Sequence, residues 1–328
     1  MEKKGRDPST AIQLFRTFVQ PILTYGLEVI LPTSQNLLKL EKNQKKLLKQ
    51  ILSVPISAPD SSIYILSDIL PIEAQIDQKS LNLFNNICNQ NEENLEKKIA
   101  RRQLIAKNED SKSWFIAIKR VLFKYNLQSP ILLLNDPPTK HLWKKSVRIA
   151  IDRYWKNVLI QKSCTYKSLK YLGTSNFSPG NCHTLLSIGN TSDPTREAVR
   201  ISVKLKVITD TYILQSHRSR YNLNETPICK LCDIDIEDRS HCLLKCKILQ
   251  CIRERYLNQI DEFISDFLNF RIRDIPTDDH MQIILNCTVL LSRYINDIHL
   301  IQRIEDISRQ LIYALHVVRY RTLYIKKR

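Results

Sequence analysis

The chain has 328 residues, with 50 Lys and Arg against 33 Asp and Glu, which gives a formal net charge of +17. Because 43% of the residues are hydrophobic, the composition excludes an intrinsically disordered chain, and five Gly with 13 Pro exclude collagen-like and low-complexity sequences. Scarce Gly also argues against folds built on tight hairpins or Gly-rich phosphate loops. The basic charge favours polyanionic partners and carries no information on the fold.

Apolar residues recur at helical spacing through the first half of the chain. Leucines and an isoleucine between positions 37 and 52 follow a three-to-four-residue period and predict a helix that Pro55 ends. Leu81 to Ile87 predict a shorter helix after Pro71, and stripes at Trp114–Tyr125 and Leu142–Leu159 predict two more. We expect the tryptophans of these stripes to lie in the core, because buried aromatic side chains dominate such stripes.

The pattern breaks at residues 173–195, where Gly and Pro stand among Ser, Thr and Asn, and we interpret this segment as a linker or surface loop. A helix is expected to resume at Asp193 or Thr195, either of which is a good N-cap. Apolar residues from Ile301 to Val318 predict a long last helix, with Arg303, Arg309, Arg319 and Arg321 on its other faces. The predicted fold is mainly α and multi-helical, with a small metal-stapled module and a helical C-terminal tail.

The positive charge is concentrated in residues 101–170, which hold 16 Lys and Arg against four Asp and Glu. Within this segment Lys144, Lys145 and Arg148 have a spacing that can place them on one helical face, where they would neutralise phosphates of a nucleic acid. An ordinary solvated helical face shows the same pattern, so this alternative stays open. The sequence has no RNA-recognition signature of interleaved aromatic residues.

The strongest chemical signal is the pattern C-x2-C-x8-H-x4-C formed by Cys229, Cys232, His241 and Cys246. Zn²⁺ in structural sites takes four thiolate or imidazole ligands in a tetrahedron, and C-x2-C turns place two thiolates on one ion. His241 and Cys246 can project from one short or distorted helix, since they are separated by slightly more than one turn. The pattern predicts structural zinc that folds a segment too small for its own core.

Two alternatives to this ligand set remain. Cys242 adjoins His241, and a four-cysteine site would use Cys242 in its place. The other alternative is a cluster of buried, reduced cysteines without a metal. Cys251 lies further along the chain and is expected to take no part in the site. A site of three thiolates, one imidazole and Zn²⁺ carries one net negative charge, which favours neighbouring cations such as Lys230, Lys245 and Lys247.

The segment Gln215–Arg220 lies just upstream of the motif. Its Arg218 and Arg220 are forked donors that can bind phosphate, and His217 immediately precedes them. A solvated basic face is the alternative here. His316, on the apolar side of the last helix, is interpreted as a satisfied core histidine because no nucleophile or carboxylate partner accompanies it.

Several segments resemble the region that follows the polymerase in reverse transcriptase polyproteins of non-LTR (LINE-type) retrotransposons. The stretch from Lys206 to Asn222 with the Cys/His motif is similar to their zinc-binding domain, although the family usually has Gly at the position of Asp210. Leu14–Glu28 and Leu40–Leu52 are similar to the helical thumb after the palm, and Ser308–Tyr320 is similar to the tail after the zinc domain.

The sequence pattern and the resemblance together divide the chain into five parts. These are a thumb-like helical region at 1–100, a basic helical region at 101–172, a linker at 173–195, a zinc-binding domain at 196–260 and a helical tail at 261–328. The polymerase of this family needs paired aspartates that hold two Mg²⁺ ions, and the only Asp-Asp pair here, Asp278-Asp279, follows the zinc motif. We therefore expect a C-terminal portion without catalysis, with Asp278 and Asp279 near a helix cap.

The sequence thus predicts a retroelement-derived protein that binds RNA or DNA, mainly through phosphates, and presents its cations on a zinc-ordered module and a basic helix. The predicted nucleic-acid contacts are Arg218, Arg220, Lys230, Lys245, Lys247, Lys144, Lys145 and Arg148. A zinc-stapled protein-interaction module and a remnant without function are the alternatives. No signal peptide and no run of about 18 apolar residues is present, so we expect a soluble intracellular protein with no membrane or small-molecule partner, in the nucleus or the cytoplasm.

Overall fold

The computed structural model describes residues 7–173, 177, 183–188, 193–265, 271, 274–295 and 297–325. It confirms the predicted mainly helical fold: in the described part of the chain the regular structure is helical, and pairing of extended backbone is limited to one bridge between Ile228 and Ile236. None of the described helices is both long and apolar enough to cross a membrane.

The α-helices that precede the predicted linker are α1 Pro8–Leu14, α2 Gln20–Leu23, α3 Ser34–Ile51, α4 Asp60–Ser67, α5 Ile72–Cys88, α6 Leu95–Ala106, α7 Trp114–Lys124, α8 Pro130–Asn135 and α9 Lys140–Cys164. A π-helical turn, Phe15–Val19, joins α1 to α2. The four helices that the periodicity predicts in this half correspond to α3, α5, α7 and α9, and are confirmed.

The helices after the predicted linker are α10 Pro194–Ile208, α11 Gln215–Tyr221, α12 Gln250–Ser265, α13 Thr277–Asn286, α14 Thr288–Leu291 and α15 Ile298–Ile325. Asp193 is the N-cap of α10, and its carboxylate accepts a hydrogen bond from the Arg196 backbone N–H at 3.0 Å. Asp278 and Asp279 lie in the first turn of α13 after the N-cap Pro276, and Asp278 is bound by Lys170 at 2.7 Å.

Helices α5 to α9 enclose a first hydrophobic core, which we call the helical core, in which Phe84, Leu122 and Val147 are fully buried. Two of the predicted core tryptophans lie here. The indole N–H of Trp143 donates to the Leu81 carbonyl at 3.0 Å, and that of Trp155 donates to the Tyr125 hydroxyl at 3.0 Å. Because these polar edges are satisfied, the large rings can be buried in this core.

A second core joins helices α1, α3 and α4 to the chain that follows Leu159. Phe177, Leu185 and Leu186 are buried in it, although they belong to the segment for which the sequence predicts a linker or surface loop. The composition of this segment reflects its abundant Gly, Pro and Ser, and it does not show that the few apolar side chains between them pack into the core. The predicted turn residues Pro179, Gly180 and Gly189 lie outside the described residues.

Candidate metal centre

A short hairpin positions the first two cysteines. The Cys229 N–H donates to the Asp235 carbonyl at 2.8 Å, and the Asp233 N–H donates to the Cys229 carbonyl at 2.8 Å. Asp233 sits in the left-handed region with φ +54°, which Asp tolerates better than most residues and which closes the turn tightly. This backbone brings the side chains of Cys229 and Cys232 to one side of the turn.

A single π-helical turn, His241–Lys245, positions the other two side chains. The Cys246 N–H donates to the His241 carbonyl at 2.8 Å, which is the i to i+5 bond of a π-turn. A spacing of five residues therefore corresponds to one wide turn, and both side chains point the same way. The expectation of a short or distorted helix between them is confirmed.

These two pieces bring four ligand atoms together. The Sγ atoms of Cys229, Cys232 and Cys246 and a ring nitrogen of His241 all lie within 4.8 Å of one another. Nε2 of His241 is 3.4 Å from Sγ of Cys232, and Cys229, His241 and Cys246 are buried. The cluster can hold a metal ion, since three sulfur atoms and one imidazole nitrogen converge on one point.

Cys242 and Cys251 stand apart from this cluster. The Cys242 side chain is buried and lines a small cavity with Tyr212 and His316, and burial raises its pKa to about 12. Cys251 is exposed on α12. The four donors that converge are those of the Cys3His set. Cys242 instead faces α15 from the segment 227–249, which carries the four donors and which we call the metal loop.

The thiols of the cluster have unusual protonation equilibria. Burial raises the pKa of Cys229 to about 12 and also raises that of Cys246. At Cys232 burial acts in the same direction, but backbone N–H groups such as that of Ile234 outweigh it and lower the pKa. Thiolates this close repel one another, so a cation between them is needed to stabilise the deprotonated set.

Buried charges brace the metal loop against the rest of the molecule. The Arg319 guanidinium of α15 donates two hydrogen bonds of 2.8 Å to the Glu237 carboxylate, and both residues are at most 4% exposed. Glu237 also accepts from the Gln215 backbone N–H at 2.8 Å. Burial alone would lower the pKa of Arg319, but its hydrogen bonds to the Glu237 carboxylate outweigh burial and raise it.

Two further arginines fix the ends of the loop. Arg239 forms an ion pair with Asp210 at 3.0 Å and donates to the backbone carbonyls that end α10. Arg253 of α12 donates to the Cys246 carbonyl at 2.9 Å. Arg253 places positive charge next to Cys246, whereas the charges of Arg239 and Arg319 are balanced by Asp210 and Glu237. The sequence does not reveal these contacts, because each joins residues whose pairing leaves no trace in local spacing.

The predicted nucleic-acid contacts divide into two groups. Arg218 and Arg220 on α11, and Lys245 and Lys247 beside Cys246, are exposed and form no ion pair with a described residue. Lys230 is half-buried and pairs with Glu225 at 2.6 Å. The second group lies on α9, remote in sequence from the metal cluster: Lys144 and Lys145 are exposed, and Arg148 pairs loosely with Asp152 at 3.7 Å.

His217 and His316 are both held in place by hydrogen bonds. Nδ1 of His217 accepts from the Leu214 N–H at 3.3 Å, and its Nε2 lies 3.5 Å from Asp210. His217 thus caps the start of α11, and its neighbouring arginines are the exposed groups. His316 is half-buried, with Nδ1 2.8 Å from the Tyr212 hydroxyl, as expected for a core histidine.

Comparisons with family models, with curated proteins and with solved structures give no significant match to this chain.

Proposed function

We propose that this chain is a retroelement-derived nucleic-acid-binding protein in which a structural zinc ion orders a basic surface. One observation carries the proposal: a closed set of four metal donors is flanked by the exposed cations Arg218, Arg220, Lys245 and Lys247, none of them neutralised by a described acidic side chain. Exposed, unpaired cations around a rigid module are the groups that bind backbone phosphates.

Zinc is the metal that the donor set favours. Three cysteine sulfurs and one imidazole nitrogen form a common structural zinc set, and a tetrahedral ion separates its ligand atoms by about 3.6–3.8 Å. The 3.4 Å between Cys232 and His241 and the limit of 4.8 Å within the cluster agree with that geometry. Four protein donors fill the tetrahedron, so the bound ion would supply a cross-link and leave no position for a reacting water.

A backbone feature supports the resemblance to the zinc-binding domain of LINE-type polyproteins. Asp210 has φ +58°, in the left-handed region that glycine adopts most easily, and this is the position at which that family usually has Gly. Asp210 also binds Arg239 and His217, so its carboxylate has a role that glycine would lack. We propose on this basis that the chain corresponds to the region downstream of a polymerase palm and does no catalysis itself.

Binding of the full-length chain to single- and double-stranded oligonucleotides at about 50 and 200 mM salt tests the proposal. We expect affinity to fall steeply with salt, as phosphate contacts release counterions. A variant with Gln at positions 218, 220, 245 and 247 should bind more weakly and depend less on salt. The matched control changes four other exposed cations to Gln, namely Lys39, Lys42 and Lys46 of α3 and Arg102 of α6. Affinity that does not change with salt would refute the proposal.

Exposed Ile234 and Ile236 on the metal loop favour one second candidate, a protein-interaction module. They are flanked by Asp233, Asp235 and Asp238, so this part of the surface would repel a polyanion. The same salt titration separates the two candidates, because an apolar protein contact weakens little with salt.

A further inference from the structure

The most exposed aromatic side chain near the metal cluster is Tyr221, the last residue of α11. Its side chain is 92% exposed, and Leu223 after it is 98% exposed. A phenol ring held in water makes no contribution to the core, so the fold gives no packing reason for an aromatic residue here. The ring presents an open π-face to solvent.

The metal loop holds the helix that carries this ring. At the start of α11, the Gln215 N–H donates to the Glu237 carboxylate at 2.8 Å and the Ser216 N–H donates to the Glu237 carbonyl at 3.2 Å. At its end, the Asn222 N–H donates to the Arg218 carbonyl at 2.9 Å. Tyr221 is therefore an exposed ring on an anchored backbone, which reduces the entropy lost when a ligand binds it.

Charge distinguishes the exposed surface at Tyr221 from the exposed apolar surface at Ile234 and Ile236 on the metal loop. Arg218 and Arg220, both exposed, stand within three residues of Tyr221. The other spot, Ile234 at 64% and Ile236 at 49% exposure, is set among three aspartates of the metal loop. Of the two, only the surface at Tyr221 combines a flat apolar face with positive charge, which is complementary to an unpaired base between two phosphates.

We propose that Tyr221, Arg218 and Arg220 form a binding site for single-stranded nucleic acid, in which an unpaired base stacks on the Tyr221 ring and the two guanidinium groups bind the adjoining phosphates. The proposal rests on the proposed nucleic-acid-binding function and specifies its substrate class as a single strand. In a duplex the bases are already stacked on one another, so the ring adds little there.

Three single variants of the full-length chain test the site: Tyr221→Ala, Tyr221→Phe and Ile234→Ala. Each is titrated by fluorescence anisotropy with labelled single strands of DNA and of RNA and with a DNA duplex, after its metal content is shown to equal that of the unsubstituted protein. We expect Tyr221→Ala to weaken single-strand binding by about 5- to 150-fold, the range for loss of one stacked base, with duplex binding unchanged. Tyr221→Phe keeps the π-face and should bind normally, and Ile234→Ala serves as the matched apolar control.

The salt dependence of binding tests the role of the two arginines independently of Tyr221. For a single strand, the double variant Arg218→Gln with Arg220→Gln should make the negative slope of log affinity against log salt shallower by about 1.4, the value for two lost phosphate contacts. Unchanged single-strand affinity of Tyr221→Ala, or equal losses for single strand and duplex, would overturn the proposed site. If the unsubstituted protein binds none of the probes, the proposed function fails instead, and the two failures are distinguishable.

Discussion

The helical core of α5–α9 and the region around the metal cluster, residues 194–265 with α15, are stabilised in different ways. In the helical core the largest buried groups are apolar, and tryptophan N–H groups find nearby acceptors. Around the metal cluster, charged side chains are buried too: Lys204 pairs with Glu305 at 2.6 Å, and both are at most 2% exposed. The first region depends mainly on hydrophobic burial, with one buried carboxylate, Asp77, bound by Lys124 and Tyr125. The second depends on several buried charged groups that each need their partner.

The charged network around Lys204 extends beyond this pair. The Lys204 ammonium also donates to the Ser308 hydroxyl at 2.8 Å, and Arg309, fully buried, donates to the Ser187 carbonyl at 2.8 Å. Burial lowers the pKa of Lys204, and the Glu305 carboxylate opposes that shift. Removing one member would leave an uncompensated charge in the core, so this region should respond to single changes more sharply than the helical core.

Removal of the metal should give the largest difference between the two regions. On the proposed zinc site, we expect chelation, or Cys229→Ser, to lower amide-exchange protection most strongly from Ile228 to Leu249, because the bound ion would cross-link this loop. Protection in α5 and in the part of α9 up to Trp155 should persist, since their buried apolar side chains belong to the helical core. Hydrogen exchange followed by mass spectrometry measures both regions in one sample. Equal loss of protection in α5 would show that the two regions unfold together.

Loss of one partner of the buried ion pair is the next largest change. Lys204→Met should lower the free energy of unfolding by about 3 kcal/mol, because the buried Glu305 carboxylate then keeps only its longer ion pair, of 3.6 Å, with Arg309. The control is Lys170→Met, which breaks the exposed pair with Asp278 and should cost less than about 1 kcal/mol. Urea denaturation measures both. Similar values for the two variants would mean that burial of the Lys204 pair has no energetic consequence.

The sequence predicts the first region better than the second, and the buried residues show why. Helices α3, α5, α7, α9 and α15 follow from apolar spacing, and the four metal donors follow from a short motif, since both signals are local in sequence. The Glu237–Arg319 and Lys204–Glu305 pairs join residues 82 and 101 positions apart. Apolar spacing places Arg309 and Arg319 on the polar faces of the last helix. Both are nevertheless buried, because Arg309 binds the Ser187 carbonyl and Arg319 binds the Glu237 carboxylate.

Acid should destabilise the second core through His183. Burial lowers the pKa of His183 to about 4, and its Nδ1 accepts a hydrogen bond from the Leu185 N–H at 3.2 Å. The unfolded chain, with a histidine pKa near 6.5, binds more protons between about pH 6.5 and 4, so the stabilisation is complete above pH 6.5 and is lost as pH falls to 4. At pH 5 the loss is about 2 kcal/mol.

His183→Asn isolates this contribution, because Asn keeps an acceptor for the Leu185 N–H and does not titrate. Thermal denaturation of both proteins between pH 7 and 5 is the measurement. We expect the difference in free energy of unfolding between the two to shrink or reverse as pH falls. A constant difference across this range would mean that His183 is not the titrating group, and the carboxylate pairs and metal ligands would account for any acid sensitivity.

A conservative change in the helical core should have the smallest effect. Ile151 of α9 is 1% exposed, and Ile151→Val removes one methylene from a packed site without disturbing a polar group. We expect a loss of about 1 kcal/mol in the free energy of unfolding, from lost burial and a small cavity. Because no charge or metal ligand is involved, the loss should be the same with and without chelator and at pH 7 and 5. Urea denaturation under the four conditions measures it, and a loss that grew on chelation would show that the helical core draws stability from the metal site.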